Sequence, residues 1–254
     1  MSFLFSIAPL QHPQLLDVKE EDLVLEGECR VHSFDPGRLT DYLPRIIKKR
    51  MGKIVLEQFV VQLNGCHLRC PYCYVTEAGY LVSENKIIRY TAEELVQIFL
   101  KQTEADIFHL MGGAPALYLK HWPELLDALP DNFIFHSDFT LTEGKYDKVI
   151  LQEIARPNAI YAVNWKGMSL EEFEANTTVR PDPNLFYDNI NLLVEAGVNF
   201  YCTFTNCDPV GIGNLIDRWE KGNKIPSSIW EDSFSIDLVQ YDALTEINVD
   251  VSVL

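Results

Sequence analysis

The sequence predicts an α/β fold on an open parallel sheet, and three observations point to it. From Ile54 onward, strand-like and helix-like stretches alternate, which is the pattern of βαβ units. The strand-like runs number about six, too few for a closed eightfold barrel. The chain has 254 residues, 47% of them hydrophobic, enough to fill the core of one large α/β domain or two small ones.

The elements follow in order. Residues 54–63 form a β-rich run that ends at a cysteine loop, and Thr91-Ala92-Glu93-Glu94 is a capping box opening a helix to about Gln102. Residues 107–111 are a strand, followed by Gly112-Gly113 and a helix over 121–129. A third strand spans 132–136, with a helix over 146–155 behind it. The run Ala159-Ile160-Tyr161-Ala162-Val163-Asn164-Trp165 is a buried strand, and a helix over 183–196 stops at Gly197. Two more strands are expected at 198–204 and 234–238. Residues 1–50 are expected to be an irregular extension packed on the core at 51–254, with an acidic run at Asp17, Glu20, Glu21 and Asp22 and a basic patch at Lys48-Lys49-Arg50.

Chemistry concentrates in Cys66-His67-Leu68-Arg69-Cys70-Pro71-Tyr72-Cys73. A [4Fe–4S] cube has four irons and normally takes four protein thiolates. Three clustered thiolates therefore leave one iron open to a small molecule. Structural zinc wants four closed ligands, commonly as paired Cys-x2-Cys. A zinc site here would need His67 or a distant residue, because Cys29, Cys202 and Cys207 form no second such pair.

The stretch from Asn64 to Tyr74 resembles the cluster loop of the radical S-adenosylmethionine (SAM) enzymes at nearly every position, including the aromatic Tyr72 before the third cysteine. The resemblance spans about residues 54–210 and is closest in pattern to the small glycyl-radical-enzyme activating-enzyme-like members. It implies a partial (β/α)6 barrel and a [4Fe–4S] cluster on Cys66, Cys70 and Cys73. It also implies reductive cleavage of SAM to methionine and a 5′-deoxyadenosyl radical that takes a hydrogen atom from substrate.

In parallel β/α architectures, ligands lie at the carboxyl ends of the strands. Gly112-Gly113-Ala114-Pro115 follows the second strand, where the family carries Gly-Gly-Glu-Pro against the methionyl amino group of SAM. Ala114 lacks the acidic side chain, so that recognition would fall to backbone or to another residue. Ser137 and Asp138 end the third strand where relatives place polar groups near SAM; the same pair also reads as a turn or helix cap. Asn164-Trp165-Lys166 resembles the Asp-(Ile/Leu)-Lys segment of the activating enzymes, which puts Lys166 on SAM; a solvated loop lysine is the plain alternative. Cys202 reads as a small buried hydrophobe, and Cys207, followed by Asp208-Pro209, as a weak candidate for a substrate-facing thiol.

Charge and hydropathy bound the partners. With 37 acidic against 21 basic side chains, the net charge of −16 repels nucleic acid and anionic lipid. No apolar run reaches 18 residues, and the amino terminus lacks the basic flank of a secretory signal, so a cytoplasmic location is expected. The expected partners are a small-molecule substrate and an electron donor such as a flavodoxin or ferredoxin. Three functions remain open: a radical SAM enzyme on a small molecule, an activase that installs a glycyl radical on a partner protein, and a non-enzymatic metal-binding protein on a degenerate barrel.

Overall fold

The computed structural model describes residues 2–7, 29–34, 56–73, 88–101, 105–221 and 237–239. The acidic run at 17–22, the basic patch at 48–50, Tyr74 and Gln102 lie outside them. A sheet of seven strands carries the fold: β2 (Cys29–Phe34), β3 (Leu56–Gln62), β5 (Ile107–Met111), β6 (Ile134–Phe139), β7 (Ala159–Trp165), β8 (Phe200–Thr205) and β9 (Asp237–Val239). From β3 to β9 every neighbouring pair is parallel, and β2 is added antiparallel on the β3 edge. Strands β1 (Phe5–Ile7) and β4 (Ile88–Tyr90) form a separate antiparallel pair, tied to the main sheet by a bridge from Ile7 to Leu63.

The first fifty residues are thus not uniformly irregular. β2 pairs residue for residue from Cys29↔Val61 to Phe34↔Leu56, and Phe5 and Ile7 are fully buried in the main core. The sequence hides this because one edge strand and a three-residue strand have too few positions to show a period of two.

Helices cover one side of the sheet. Helix α1 (Ala92–Leu100) opens on the expected capping box, in which the Thr91 hydroxyl accepts from Glu94 N–H and the Glu94 carboxylate accepts from Thr91 N–H. A 3₁₀ turn (Pro115–His121) leads into α2 (Trp122–Ala128). Helix α3 (Lys148–Ile154) starts on Asp147, and α5 (Pro183–Ala196) runs from Asp182 to Gly197, whose φ of 73° suits glycine. Two helices were not foreseen. α4 (Leu170–Thr177) is capped by Ser169, and α6 (Pro209–Lys221) is entered through Asp208-Pro209, which bears a helix-start signal.

Strand alternation then sorts the side chains. Phe59, Phe108, Phe135, Tyr161, Val163, Trp165, Phe200 and Phe204 point to the helices, with Trp122 stacked on Tyr161 at 5.6 Å between ring centroids. Each such burial contributes roughly 1.5–3 kcal/mol. The opposite, inner face mixes Val60, Ile107, Met111, Ile134, Ile160 and Ala162 with the polar Gln58, Gln62, His109, His136, Asp138, Asn164, Tyr201 and Thr203. An inner face this polar suits a site better than a core.

Candidate functional site

The cysteine loop leaves β3 at its carboxyl end and is fastened from several sides. Asn64 N–H donates to Ser6 carbonyl at 2.8 Å, and Tyr118 hydroxyl donates to Asn64 carbonyl at 2.8 Å. His67 Nε2 lies 2.8 Å from Thr142 Oγ1 in the loop after β6. Arg69 N–H donates to Thr177 carbonyl at 3.0 Å, Thr178 hydroxyl returns a bond to Arg69 carbonyl at 3.2 Å, and the Arg69 guanidinium folds back on the carbonyls of Cys66 and Leu68. The loop is therefore set by β1, the 3₁₀ turn, the β6 loop and the end of α4 together.

Cys66, Cys70 and Cys73 are half-buried and in no disulfide. Burial pushes the Cys66 thiol up to about 11, against the Leu68 N–H that points at its sulfur from 3.4 Å. Among the described residues no three His, Cys, Asp or Glu side chains are grouped as ligands of a single ion. A cube takes one thiolate per iron, so three thiols spread along one anchored, partly exposed loop fit a [4Fe–4S] cluster in number and kind. Tyr72 lies on the same loop, with Lys166 Nζ 5.7 Å from its ring centroid.

Gly112 and Gly113 close on this loop from β5, both at positive φ (73° and 55°). A Cβ on Gly113 would come within 2.2 Å of Gly65 carbonyl oxygen, and one on Gly112 within 2.2 Å of Gln62 Cγ. Ala114 N–H donates to the same Gly65 carbonyl at 2.8 Å. The pair of glycines thus serves contact between the β5 loop and the cysteine loop, a reason that the sequence could not show.

Asp138 and Ser137 part company on β6. Ser137 is fully buried on the helix side, its hydroxyl donating to Leu110 carbonyl at 3.1 Å, so the structure does not bring it to the inner face. Asp138 is on the inner face and one-fifth exposed. Burial alone would raise its carboxyl, but the His109 imidazole, the His136 ring and the Asn164 amide together bring it below the ordinary carboxylate value.

Lys166 leaves β7 beside the loop, with Nζ 3.4 Å from Thr205 Oγ1. Its carbonyl and those of Thr205 and Asn206 all accept from the Asn176 side-chain amide, which joins the ends of β7 and β8. Cys207 packs in the core, its thiol against the carbonyls of Thr205 and Trp165, and burial pushes it up to about 12. Cys202 is fully buried and accepts from Trp165 Nε1 at 3.2 Å.

Of the inner-face residues below the loop, Gln58, His109, His136, Tyr201 and Thr203 were not singled out from sequence. His109 Nδ1 lies 2.7 Å from Gln58 Oε1, and its Nε2 lies 3.7 Å from Asp138 Oδ2. His136 Nε2 lies 2.9 Å from Tyr201 hydroxyl, its ring edge-on to His109 at 4.1 Å. Burial and the neighbouring His109 hold His136 well below the ordinary imidazole value, so the ring is neutral. Asn164 donates to Asp138 Oδ1 at 3.3 Å while its own oxygen accepts a short bond from Thr203 hydroxyl. The available signal was polar residues at same-parity positions, such as Gln58 and Gln62, His136 and Asp138, and Tyr201 and Thr203, in strands rich in aromatic residues at the other parity.

Comparison with known proteins agrees with this geometry. The chain is 27% identical over 172 residues to the 7-carboxy-7-deazaguanine synthase of Methanothermobacter thermautotrophicus, covering 62% of this chain and 64% of that protein. Streptococcus suis SuiB, solved with its precursor peptide SuiA, superposes with a TM-score of 0.54 at 16% identity over 76% of this chain and 42% of its own, which shows a shared fold. QueE from Escherichia coli matches with a TM-score of 0.45 at 15% identity over 74% of this chain and 78% of its own. The sequence profile of the Radical SAM superfamily matches residues 60–210, more than half of the chain and the whole stretch from the cysteine loop to the end of β8. With three thiols anchored at the carboxyl end of β3 and the Gly112-Gly113 turn closed against them, the chain belongs to the radical SAM superfamily.

Proposed function

We propose that this chain is a radical SAM enzyme acting on a small molecule. The observation that carries the reading is the placement of the Cys66, Cys70 and Cys73 loop directly over a polar inner face. Bound together, a reduced [4Fe–4S] cluster and SAM supply a 5′-deoxyadenosyl radical, the agent of hydrogen abstraction. Cys66, Cys70 and Cys73 hold the cluster. Tyr72, the backbone of Gly112, Gly113 and Ala114, and Lys166 would receive SAM, and Lys166 offers a mobile point charge with three donors to a carboxylate. The buried strands beneath exclude water and competing hydrogen donors.

A small-molecule substrate is favoured by the name of the synthase relative, whose product is a carboxylated heterocycle. Cys207 packs in the helix-side core with its thiol against the Trp165 and Thr205 carbonyls, which favours direct abstraction from the substrate over a cysteine relay. A flavodoxin or ferredoxin as electron donor and a reducing, cytoplasmic setting belong to the same proposal; no helix among the described residues is long and apolar enough to cross a membrane.

Anaerobic reconstitution tests it. The protein is expected to bind one [4Fe–4S] cluster and, once reduced, to convert SAM to 5′-deoxyadenosine and methionine. Replacing Cys66, Cys70 and Cys73 together by Ala should abolish both; four irons retained in that variant, or no SAM cleavage by reduced wild type, would sink the reading.

A further inference from the structure

The inner face holds hydrogen-bonding atoms that the cluster and SAM reading does not use. His109 Nε2 and His136 Nδ1 are buried and have no hydrogen-bond partner within the protein. Leaving such atoms bare costs folding free energy, and His136 is only 2% exposed. Both rings are nevertheless fixed through their other nitrogens, His109 on Gln58 and His136 on Tyr201.

Beside His109 the pattern has a sense. With the Gln58 amide turned so that its nitrogen donates to His109 Nδ1, the ring proton sits on Nε2 and faces the Asp138 carboxylate. Thr203 occupies the Asn164 oxygen, which turns the Asn164 amide to Asp138 Oδ1. Asp138 Oδ2 is left toward His109, 3.7 Å from Nε2, too far for a good direct bond. The protein therefore presents an N–H donor and a carboxylate acceptor side by side, at side-chain exposures of 13% and 20%. The complement of that pair is a carbonyl next to an N–H, the edge of a cyclic amide.

We propose that His109 and Asp138 form a substrate subsite that reads the lactam edge of a nitrogen heterocycle, His109 donating to its carbonyl and Asp138 accepting from its N–H. The subsite rests on the radical SAM reading above and names the substrate class for it. His136 lies at the floor, and its Nδ1 meets whatever polar atom the heterocycle turns inward. Ionised Asp138 suits an N–H donor and repels a carboxylate, so an anionic substituent is directed away from this pair.

The test is a binding titration on the whole reconstituted chain with SAM at saturation, using 7-carboxy-7-deazaguanine and 2-amino-7-carboxy-7-deazapurine as probes. The two share ring size and carboxylate but differ in the lactam edge. Wild type should prefer the first by about tenfold or more, the effect of hydrogen bonds to a charged group. Asp138→Asn and His109→Leu should each lose most of that preference, a ratio that general damage to the fold would not move. Equal affinity of wild type for both probes, binding of neither, or an unchanged ratio in both variants overturns the subsite. Displacement of the probe by SAM also overturns it, by assigning the pair to the adenine edge of SAM. Cluster absorption and SAM perturbation, recorded in the same samples, separate the readings. Intact signals without probe preference remove the subsite alone, and a lactam preference without a cluster removes the radical reading alone.

Discussion

At Gly113 one absent side chain lets two loops meet. An Ala there must adopt a left-handed φ, costing about 1–2 kcal/mol, and its Cβ would press on Gly65 carbonyl at 2.2 Å. Since Gly65 precedes the first cluster cysteine, Gly113→Ala is expected to lower iron content after reconstitution. Gly144→Ala, strained at φ 128° but with nothing within 4 Å, should retain iron; equal content in both would deny the contact its role. Lys166 tests charge. A charge-assisted hydrogen bond contributes roughly 1.5–3 kcal/mol, so Lys166→Met should weaken SAM affinity by about tenfold to a hundredfold. Titrating SAM against the cluster spectrum reads this, and a wild-type affinity would return Lys166 to the solvated loop.

At the scale of elements, asparagines do the joining that helix and strand hydrogen bonds cannot. Fully buried Asn189 on α5 accepts from Tyr146 N–H at 2.9 Å and donates to the carbonyls of Leu141 and Gly144 at 3.0 and 2.8 Å, so it fixes the loop after β6. That loop also carries Thr142, the partner of His67, and is drawn together by the Glu143 carboxylate, which accepts from Thr142 N–H and Tyr146 hydroxyl. Asn189→Ala strands three main-chain groups, two of them buried, and should destabilise the chain by about 1–3 kcal/mol in urea unfolding. A change below a few tenths would mean that water replaces the amide. Helix α4 and the end of α6 escaped the sequence reading although Ser169 and Asp208 mark their starts. The apolar period of α4 is weak, and its end is held by docking against Arg69 of the cysteine loop, whereas α6 has a clear apolar period that was overlooked.

Across the whole molecule, burying a neutral imidazole under the site couples stability to pH. His136 has a folded value well below its ordinary 6.5, so the unfolded chain binds more protons there than the folded one. By linkage, its penalty is absent above the unfolded value and grows as pH falls below about 6.5, with a slope of up to about 1.4 kcal/mol per unit. Asp138, depressed from 3.8, loses its stabilising contribution only in a lower window, as pH falls through that ordinary value and the folded one below it. Unfolding free energies measured between pH 7 and 5 should therefore fall, and His136→Gln should flatten the decline; an identical slope would place the titration elsewhere. Part of this architecture was legible from residues alone. The alternating runs determined the parallel α/β sheet, the Thr91 box and Gly197 determined two helix ends, and the spacing of Cys66, Cys70 and Cys73 pointed to the radical SAM family, because each is a local pattern along the chain. Tertiary structure decided the rest. Whether Ser137 or Asp138 faces the inner side depends on strand register, the partner of Gly113 is Gly65, far away in sequence, and the His109 and Asp138 pair exists only because β5 and β6 lie side by side. Contacts between strands carry no signature along the chain.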